Sequence, residues 1–255
     1  VKGLICAGGE AKRLEELTRV TNKHLLPVGR WPMIYYPLAL LQRLGVTEVM
    51  LVTGKQHAGD FIDLLGNGQL RTRMNDAPLF DLDLTYKVQV EAGGIAQVVA
   101  MARDFAHGEK LIVCLGDNIF EKSQADAIAA WGSGALVFVK EVDDPVSFGV
   151  VAYGEHGRVT DIVEKAGVVD ARYAQPPSSD AVVGLYCYPS DVFDIIEGLS
   201  PSSRGELEIT DVNREYARRG ELEVRRIDGW WHDGGKHWED LANIGRLIAE
   251  TGVNQ

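Results

Sequence analysis

The feature that most limits what this chain can become is an alternation along its first 140 residues. Short apolar runs that stop at glycine or polar residues take turns with segments whose apolar residues recur at helical spacing. Lys2-Gly-Leu-Ile-Cys-Ala7 runs into Gly8-Gly9, Val46 to Thr53 makes a second run, and Lys110 to Leu115 makes a third, closed by Gly116-Asp117-Asn118. Runs of this length, bounded by turn residues, read as buried strands. Between them, Trp31 to Gly45 reads as a helix with Pro32 in its first turn and Gly45 at its stop; Pro37 moves the start later, because proline is tolerated only in the first turn. Asp60 to Leu65 reads as part of a second helix. Ile95, Val98, Val99, Ala102 and Phe105 share the face of a third. Asp81 to Val90 alternates polar and apolar residues, the pattern of a half-covered strand. Strand and helix in alternation imply a mostly parallel sheet with helices on both faces.

The centre of the chain breaks the pattern. Phe148 to Tyr153 and Val159 to Glu164, joined through Gly154-Glu-His-Gly157, read as a hairpin. Val182 to Tyr188 and Leu222 to Ile227 read as further strands. Thr210 is expected to cap a helix from Asp211 to about Arg218, and a last helix is expected from about Lys236 to Ala249. The fold class is therefore α/β: a doubly wound, mostly parallel mixed sheet with an antiparallel insertion. No repeat or linker divides the chain, and the densest breaker cluster, Gln175-Pro-Pro-Ser-Ser179, is short enough for a loop. One domain over residues 1–255 is the expectation.

Charge narrows the function. Acidic residues outnumber basic ones 37 to 26, for a net charge of −11, which argues against a nucleic-acid surface or an anionic membrane as partner. No apolar run approaches the roughly 18 residues of a membrane span, and no secretory leader is visible at the start. Cys6, Cys114 and Cys187 lie in apolar segments without paired spacing, which fits a reducing cytoplasm and no zinc site.

Ligands in such sheets sit beyond the carboxyl ends of the strands, and three strand ends carry both glycine and charge. Ala7-Gly-Gly-Glu-Ala-Lys-Arg13, with Lys23 following, offers backbone N–H groups and cations to an anion. It matches neither the P-loop nor the dinucleotide fingerprint, and a turn with solvated charges explains it equally well. Asp117 is a hard-oxygen ligand suited to Mg²⁺ or a turn residue. Asp233, in Trp231-His-Asp-Gly-Gly235, is a second carboxylate for the same ion or a cap for the final helix. His232 and His237 read as surface or hydrogen-bonded residues. No Gly-x-Ser-x-Gly elbow is present, and Cys6 and Cys114 read as packing residues, so a protein nucleophile is not visible.

Several segments, in order, then carry a resemblance over nearly the whole chain. They are Lys2-Gly-Leu-Ile-Cys-Ala-Gly-Gly9, Asn22-Lys-His-Leu-Leu-Pro-Val28, Pro32-Met-Ile-Tyr-Tyr-Pro37, Gly93-Gly-Ile-Ala-Gln97, Leu115-Gly-Asp-Asn-Ile-Phe120, Ser203-Arg-Gly-Glu-Leu-Glu-Ile-Thr-Asp211 and Trp231-His-Asp-Gly234. The sequence resembles the sugar-1-phosphate nucleotidyltransferases, most closely the short-form glucose-1-phosphate thymidylyltransferases. The resemblance implies their Rossmann-like fold, Mg²⁺ as cofactor and a homo-oligomer, dimer or tetramer. It implies that Arg13 and Lys23 contact the reacting phosphates, that Gly8 and Gly9 cradle the nucleotide, and that Gln89 and Gly94 read the pyrimidine edge. Asp117 and Asp233 would hold Mg²⁺. Gly149, Glu164, Lys165, Val182, Tyr186, Arg204 and Glu206 would form the sugar-phosphate pocket, with Lys165 on the attacking phosphate. The implied reaction joins a nucleoside triphosphate, dTTP, to glucose 1-phosphate and releases pyrophosphate.

The departures from that resemblance bear on specificity. Glu10-Ala-Lys12 replaces the usual x-Gly-Thr, Glu15-Glu16 an aromatic–proline pair, Gly234 a threonine or alanine, and Ala166 a proline. The segment Leu70 to Thr85 is longer than expected. These changes keep open another nucleotide (GTP, UTP or CTP), a modified or longer sugar, and a non-catalytic nucleotide-sugar sensor.

Overall fold

The computed structural model describes residues 1–9 and 12–253, and of Lys12, Arg13 and Glu15 only the backbone. The chain divides into two compact units that interleave along the sequence. The first comprises Val1–Ala92, Ile112–Ala125 and Asp228–Gln255, the second Gly93–Leu111 and Asp126–Ile227.

In the first unit the strands Lys2–Ala7, Glu48–Gly54 and Asp83–Gln89 pair in parallel, Ile5 opposite Leu51 and Leu51 opposite Tyr86. The strand Leu111–Leu115 lies on the other side of Lys2–Ala7. Leu4, Ile5, Val49, Leu51, Val52 and Val113 are fully buried, which is why these runs show no polar alternation: both faces are covered. The helix expected from Trp31 begins only at Tyr35 and ends at Arg43. Trp31–Pro32 instead pairs antiparallel with Pro27–Val28. The later start puts Pro37 in the first turn, where its missing N–H has no helical partner to lose. The strand expected from Asp81 starts at Asp83, because Pro78–Asp81 folds back on Gln69–Arg71 as a separate hairpin. The final helix, Trp238–Thr251, packs Ile244 and Ile248 into a cluster with Val28, Met33, Tyr36 and Ile119. Its cap is a box built by His237 and Asp240, so Asp233 is not its cap.

In the second unit Gly149–Tyr153 and Val159–Glu164 form the expected hairpin, Gly149 opposite Glu164. Asp180–Tyr188 pairs antiparallel with Ala135–Glu141, which pairs in parallel with Leu222–Arg226. Val139, Val151 and Ile162 are fully buried between them. The helix expected from Asp211 runs Ile209–Arg219, with Glu208 at its N-cap position. Thr210 is thus inside the helix rather than capping it, because a tertiary partner takes its hydroxyl: Oγ1 donates to Glu164 Oε2 at 2.6 Å. The helix face that begins at Ile95 is interrupted at Ala102, giving Ile95–Met101 and Arg103–Ala106. The architecture is mixed α/β, as expected: the long strands of the first unit run parallel, with short antiparallel pairs beside them, and the second unit adds antiparallel strands. No helix among the described residues is long and apolar enough to cross a membrane.

Candidate active site

Two short strands bring the expected carboxylates together. Asn118–Phe120 follows the turn at the end of Leu111–Leu115 and pairs antiparallel with Trp231–Asp233, placing Asp233 opposite Asn118. The Gly234 N–H donates to the Asp117 carbonyl at 2.8 Å. The side chain of Asp117 is gripped at both oxygens: Asn118 Nδ2 donates to Oδ1 at 2.9 Å, and Lys23 Nζ donates to Oδ2. Asn118 is oriented in turn by Trp231 Nε1, which donates to its Oδ1 at 2.6 Å. Asp233 Oδ1 accepts from the Gly235 N–H at 2.9 Å.

Lys23 owes its position to two neighbours. Asn22 Oδ1 accepts from the His24 N–H at 2.9 Å and stands 2.6 Å from His24 Nδ1, while Asn22 Nδ2 donates to the Ala7 carbonyl at 3.4 Å. This ties the 3₁₀ turn Lys23–Leu25 to the end of the first strand. Burial, then the Lys23 charge, pushes the His24 imidazole down to about 3. The ring is therefore neutral, and its Nδ1–H faces Asn22. Its edge lies against Gly116, where a Cβ would stand 2.7 Å from Cδ2. Asn22, His24 and Asn118 were not among the residues expected from the sequence.

The two carboxylates differ in proton affinity. Burial works to raise Asp117, but the Lys23 ammonium and the hydrogen bonds from Lys23 and Asn118 outweigh it and hold that carboxyl well below the usual range. At Asp233 the Lys23 and Lys236 charges and the Gly235 N–H are outweighed. Burial first, then the negative charge of Asp117, raises it to about 6. Beside them the backbone of Gly235 leaves room: a Cβ there would stand 2.6 Å from Asp117 Oδ2, 2.7 Å from Lys23 Nζ and 3.2 Å from Asp233 Oδ1. Two carboxylates around an open cradle suit Mg²⁺, which takes one or two protein carboxylates and completes its shell with water and phosphate oxygens. Among the described residues no group of three or more His, Cys, Asp or Glu side chains gathers to hold an ion, here or elsewhere, so water and phosphate oxygens would have to supply the remaining ligands.

In the same unit a cavity of about 370 Å³ is lined by Gly8, Gly9, Asn22, Lys23 and Gln89, together with Lys55 and His57, which the sequence did not single out. At Gly8 a Cβ would stand 2.8 Å from Gln89 Oε1, so a side chain there would push the Gln89 amide aside. The Arg13 side chain lies outside the described residues, as does the altered segment Glu10-Ala11. His232 turns to Trp230, with ring centroids 5.9 Å apart.

The second unit holds the other expected residues. Glu164 accepts from Thr210, and its other oxygen is 3.7 Å from Lys165 Nζ and 3.8 Å from Arg204 Nη2. Gly149 is tightly flanked: a Cβ would stand 3.1 Å from Thr210 Oγ1 and 3.2 Å from Glu164 Oε2 and would press on that hydrogen bond. Arg204 reaches Glu206 at 3.2 Å and Glu208 at 2.8 Å. Val182 packs on the Val139–Val151–Ile162 cluster, and Tyr186 is buried and stacked on Tyr188 with ring centroids 6.0 Å apart. Gly94 has φ +91, and a Cβ there would fall 2.3 Å from the Leu207 carbonyl oxygen, so close backbone approach alone requires glycine at this position.

Comparison with known proteins places these clusters in context. The nucleotidyl transferase family matches residues 2–251. The chain is 38% identical over 242 residues to the glucose-1-phosphate thymidylyltransferase of Xanthomonas campestris pv. campestris, covering 92% of this chain and 77% of that protein. It is 33% identical over 254 residues to the low-salt glycan biosynthesis nucleotidyltransferase Agl11 of Haloferax volcanii, covering 98% of this chain and 66% of that protein. The structure superposes, with a TM-score of 0.84 and 42% identity, on a Bacillus anthracis protein assigned as a glucose-1-phosphate thymidylyltransferase, in complex with sucrose; 96% of this chain and 94% of that one are covered. A UDP-glucose pyrophosphorylase complexed with UDP-glucose shares the fold at a TM-score of 0.82 and 21% identity, covering 98% of each chain.

Proposed function

The chain belongs to the nucleotidyl transferase family, and from that premise we propose that it joins a nucleoside triphosphate to a sugar 1-phosphate, releasing pyrophosphate and a nucleoside-diphosphate sugar. The substrates proposed are dTTP and glucose 1-phosphate, the pair that the resemblance in sequence implies. The observation that carries the reading is the Lys23–Asp117–Asp233 cluster, in one unit with a cavity whose walls include Gly8, Gly9 and Gln89.

The roles follow from the chemistry of each group. Gly8 and Gly9 let backbone N–H groups approach the phosphates, while Lys23 and Arg13 neutralise them. Gln89 and Gly94 meet the base. Asp117 and Asp233 hold Mg²⁺, which supplies charge neutralisation and orientation of the phosphates when bound. Lys165 holds the phosphate of the sugar, whose oxygen attacks the α-phosphorus in line. Glu164, with Gly149, Arg204, Glu206, Val182 and Tyr186, shapes the sugar side. No protein nucleophile enters, so rate comes from positioning and charge. The reading extends to one catalytic domain working in the cytoplasm as a homo-oligomer, dimer or tetramer, whose subunits light scattering would count.

The experiment is pyrophosphate release with Mg²⁺ and α-glucose 1-phosphate, with dTTP, UTP, GTP, CTP and ATP side by side. Turnover fastest with dTTP is the expected result. Turnover with another nucleotide only would move the specificity to the altered loop. Nucleotide binding without any pyrophosphate release, across several sugar phosphates, would instead leave a sensor.

Metal binding should depend on pH through Asp233. Its carboxyl is raised to about 6 in the metal-free protein. The ionised form therefore costs the fold stability at pH 7, and that cost fades as pH falls through about 6 and the group takes a proton. Asp117 has the opposite sign: its ionised form stabilises above the usual carboxylate range, and this is lost only as pH falls well below it. A cation at Asp233 must displace that proton below pH 6. Affinity for Mg²⁺ alone, measured by calorimetry, is expected to be about tenfold weaker at pH 5 than at pH 7.5. In Asp233→Asn the dependence should flatten; equal affinity at both pH values in the parent protein would remove Asp233 as a ligand.

A further inference from the structure

Lys165 sits in an unusual backbone. Its φ is +43, in the left-handed region that a residue with a side chain seldom enters, so its surroundings rather than its own preference must hold it there. The turn that follows closes on its own main chain. Val168 and Val169 N–H groups both donate to the Lys165 carbonyl at 2.9 Å, and the Asp170 N–H donates to the Glu164 carbonyl at 3.1 Å. The Gly167 N–H donates to the Asp170 carbonyl at 3.2 Å, and the Lys165 N–H to the Phe148 carbonyl at 3.0 Å.

What fixes this turn to the body of the unit is the side chain of Asp170. Arg214, on the Ile209–Arg219 helix, donates from Nη2 to Asp170 Oδ2 at 2.9 Å and from the same nitrogen to the Ile162 carbonyl at 2.9 Å. Its Nε donates to Asp161 Oδ1 at 2.8 Å, and its Nη1 to Asp211 Oδ1. Arg172 grips Asp170 from the surface side, Nε to Oδ1 at 2.9 Å and Nη2 to Oδ2 at 2.6 Å, and lies 3.0 Å from Asp161 Oδ2. Tyr173 donates to that same Asp161 oxygen at 3.4 Å. One guanidinium thus joins a helix, the strand that ends at Glu164, and the turn after Lys165. Several of its donors are committed at once, a geometry that a lysine in its place could not reproduce. Ala166 also anchors the turn, buried with Val150, Ala152 and Val163, whereas Val168 is 72% exposed.

We propose that Asp170 and Arg214 are positioning residues that lock the Lys165 turn, and so set where the Lys165 ammonium meets the sugar phosphate. The proposal rests on the reading of Lys165 as the group that holds that phosphate. An ammonium displaced by an ångström or so loses much of its value to a reacting centre, whereas a surface turn released from its clamp takes little of the core with it.

The test uses the full chain and two readouts. Hydrogen exchange on the substrate-free protein compares the parent with Asp170→Asn, which keeps size and removes charge. Amides of residues 167–170 are expected to exchange at least about tenfold faster in the variant, with the Ile209–Arg219 helix unchanged. Unchanged exchange in the turn overturns the clamp, and so does faster exchange throughout the unit, because the residue would then be supporting the whole fold. In steady-state kinetics, Asp170→Asn is expected to raise KM for the sugar 1-phosphate about tenfold while KM for the nucleotide stays within about twofold. Asp170→Glu, which retains the carboxylate, should recover most of the loss. In a Lys165→Met background, Asp170→Asn should add less than about twofold, because its effect runs through Lys165. Full additivity in that cycle overturns the proposal. If Lys165→Met leaves the sugar-phosphate KM unchanged, the assignment of Lys165 has failed and the catalytic part of the proposal falls with it, while a faster-exchanging turn would still identify the clamp as mechanical.

Discussion

Replacing Asp117 by asparagine is expected to lower kcat/KM by about a thousandfold, equivalent to about 4 kcal/mol of transition-state stabilisation. Asparagine keeps the shape of the side chain but removes the negative charge that Lys23 Nζ and a divalent cation would both use. The variant has a structural cost as well. Lys23 and Asp117 are only 15% and 13% exposed at their side chains, and removing one member of a buried ion pair costs about 3–5 kcal/mol. At 2–4 °C per kcal/mol for a chain of this size, Tm should fall by roughly 6–20 °C. The assay is therefore run well below the variant's transition, with Tm measured on the same sample. Activity within threefold of the parent would show that Asp117 is a turn residue and nothing more.

Gly235→Ala should show the second largest loss, about a hundredfold in kcat/KM, with a much smaller change in Tm. The added methyl would enter the space bounded by Asp117 Oδ2, Lys23 Nζ and Asp233 Oδ1, all within 3.2 Å of the new Cβ. The nearest atoms are ends of side chains, so they can swing aside without moving the backbone, and the fold survives. What they cannot do is swing aside and still converge on a cation. Gly59→Ala is the control. It lies in the Ala58–Leu65 helix with nothing within 4 Å of a built Cβ, so activity should be unchanged and stability equal or slightly higher. A Gly235→Ala enzyme as active as this control would mean that the space is idle.

How far the site could be read from the chain depends on which force placed each residue. Lys2–Ala7 and Val46–Thr53 are legible because strands buried on both faces leave continuous apolar runs. Asp117 is legible as a carboxylate just past such a run, and Asp233 as a carboxylate beside the glycines of Trp231-His-Asp-Gly-Gly235. Their meeting is not, because it depends on the pairing of two three-residue strands, Asn118–Phe120 and Trp231–Asp233, too short to carry any period. Asn22 and His24 act through a single turn and a neutral ring, and nothing in their spacing distinguishes them from solvated loop residues. Thr210 was misread for a physical reason: a threonine just before a helical segment looks like a cap, but a carboxylate brought in by a distant strand competes for its hydroxyl. The left-handed backbone of Lys165 escapes a sequence reading altogether, since that region announces itself only when the residue is glycine.

The interleaving of the two units gives the cluster a history on the ribosome. Lys23 emerges early and Asp117 midway, but Asp233 arrives only after the whole of residues 126–227, which belong to the other unit. A nascent chain that has reached residue 227 thus carries Lys23 and Asp117 with no Asp233 and no Trp231–Asp233 strand to pair with Asn118–Phe120. Joining the ends of so long a segment is entropically cheaper if the segment has already become compact. The middle stretch would then mature first during synthesis and act as its own short tether, with Asp233 joining the Lys23–Asp117 pair afterwards, when the Trp238–Thr251 helix docks Ile244 and Ile248 beside Ile119.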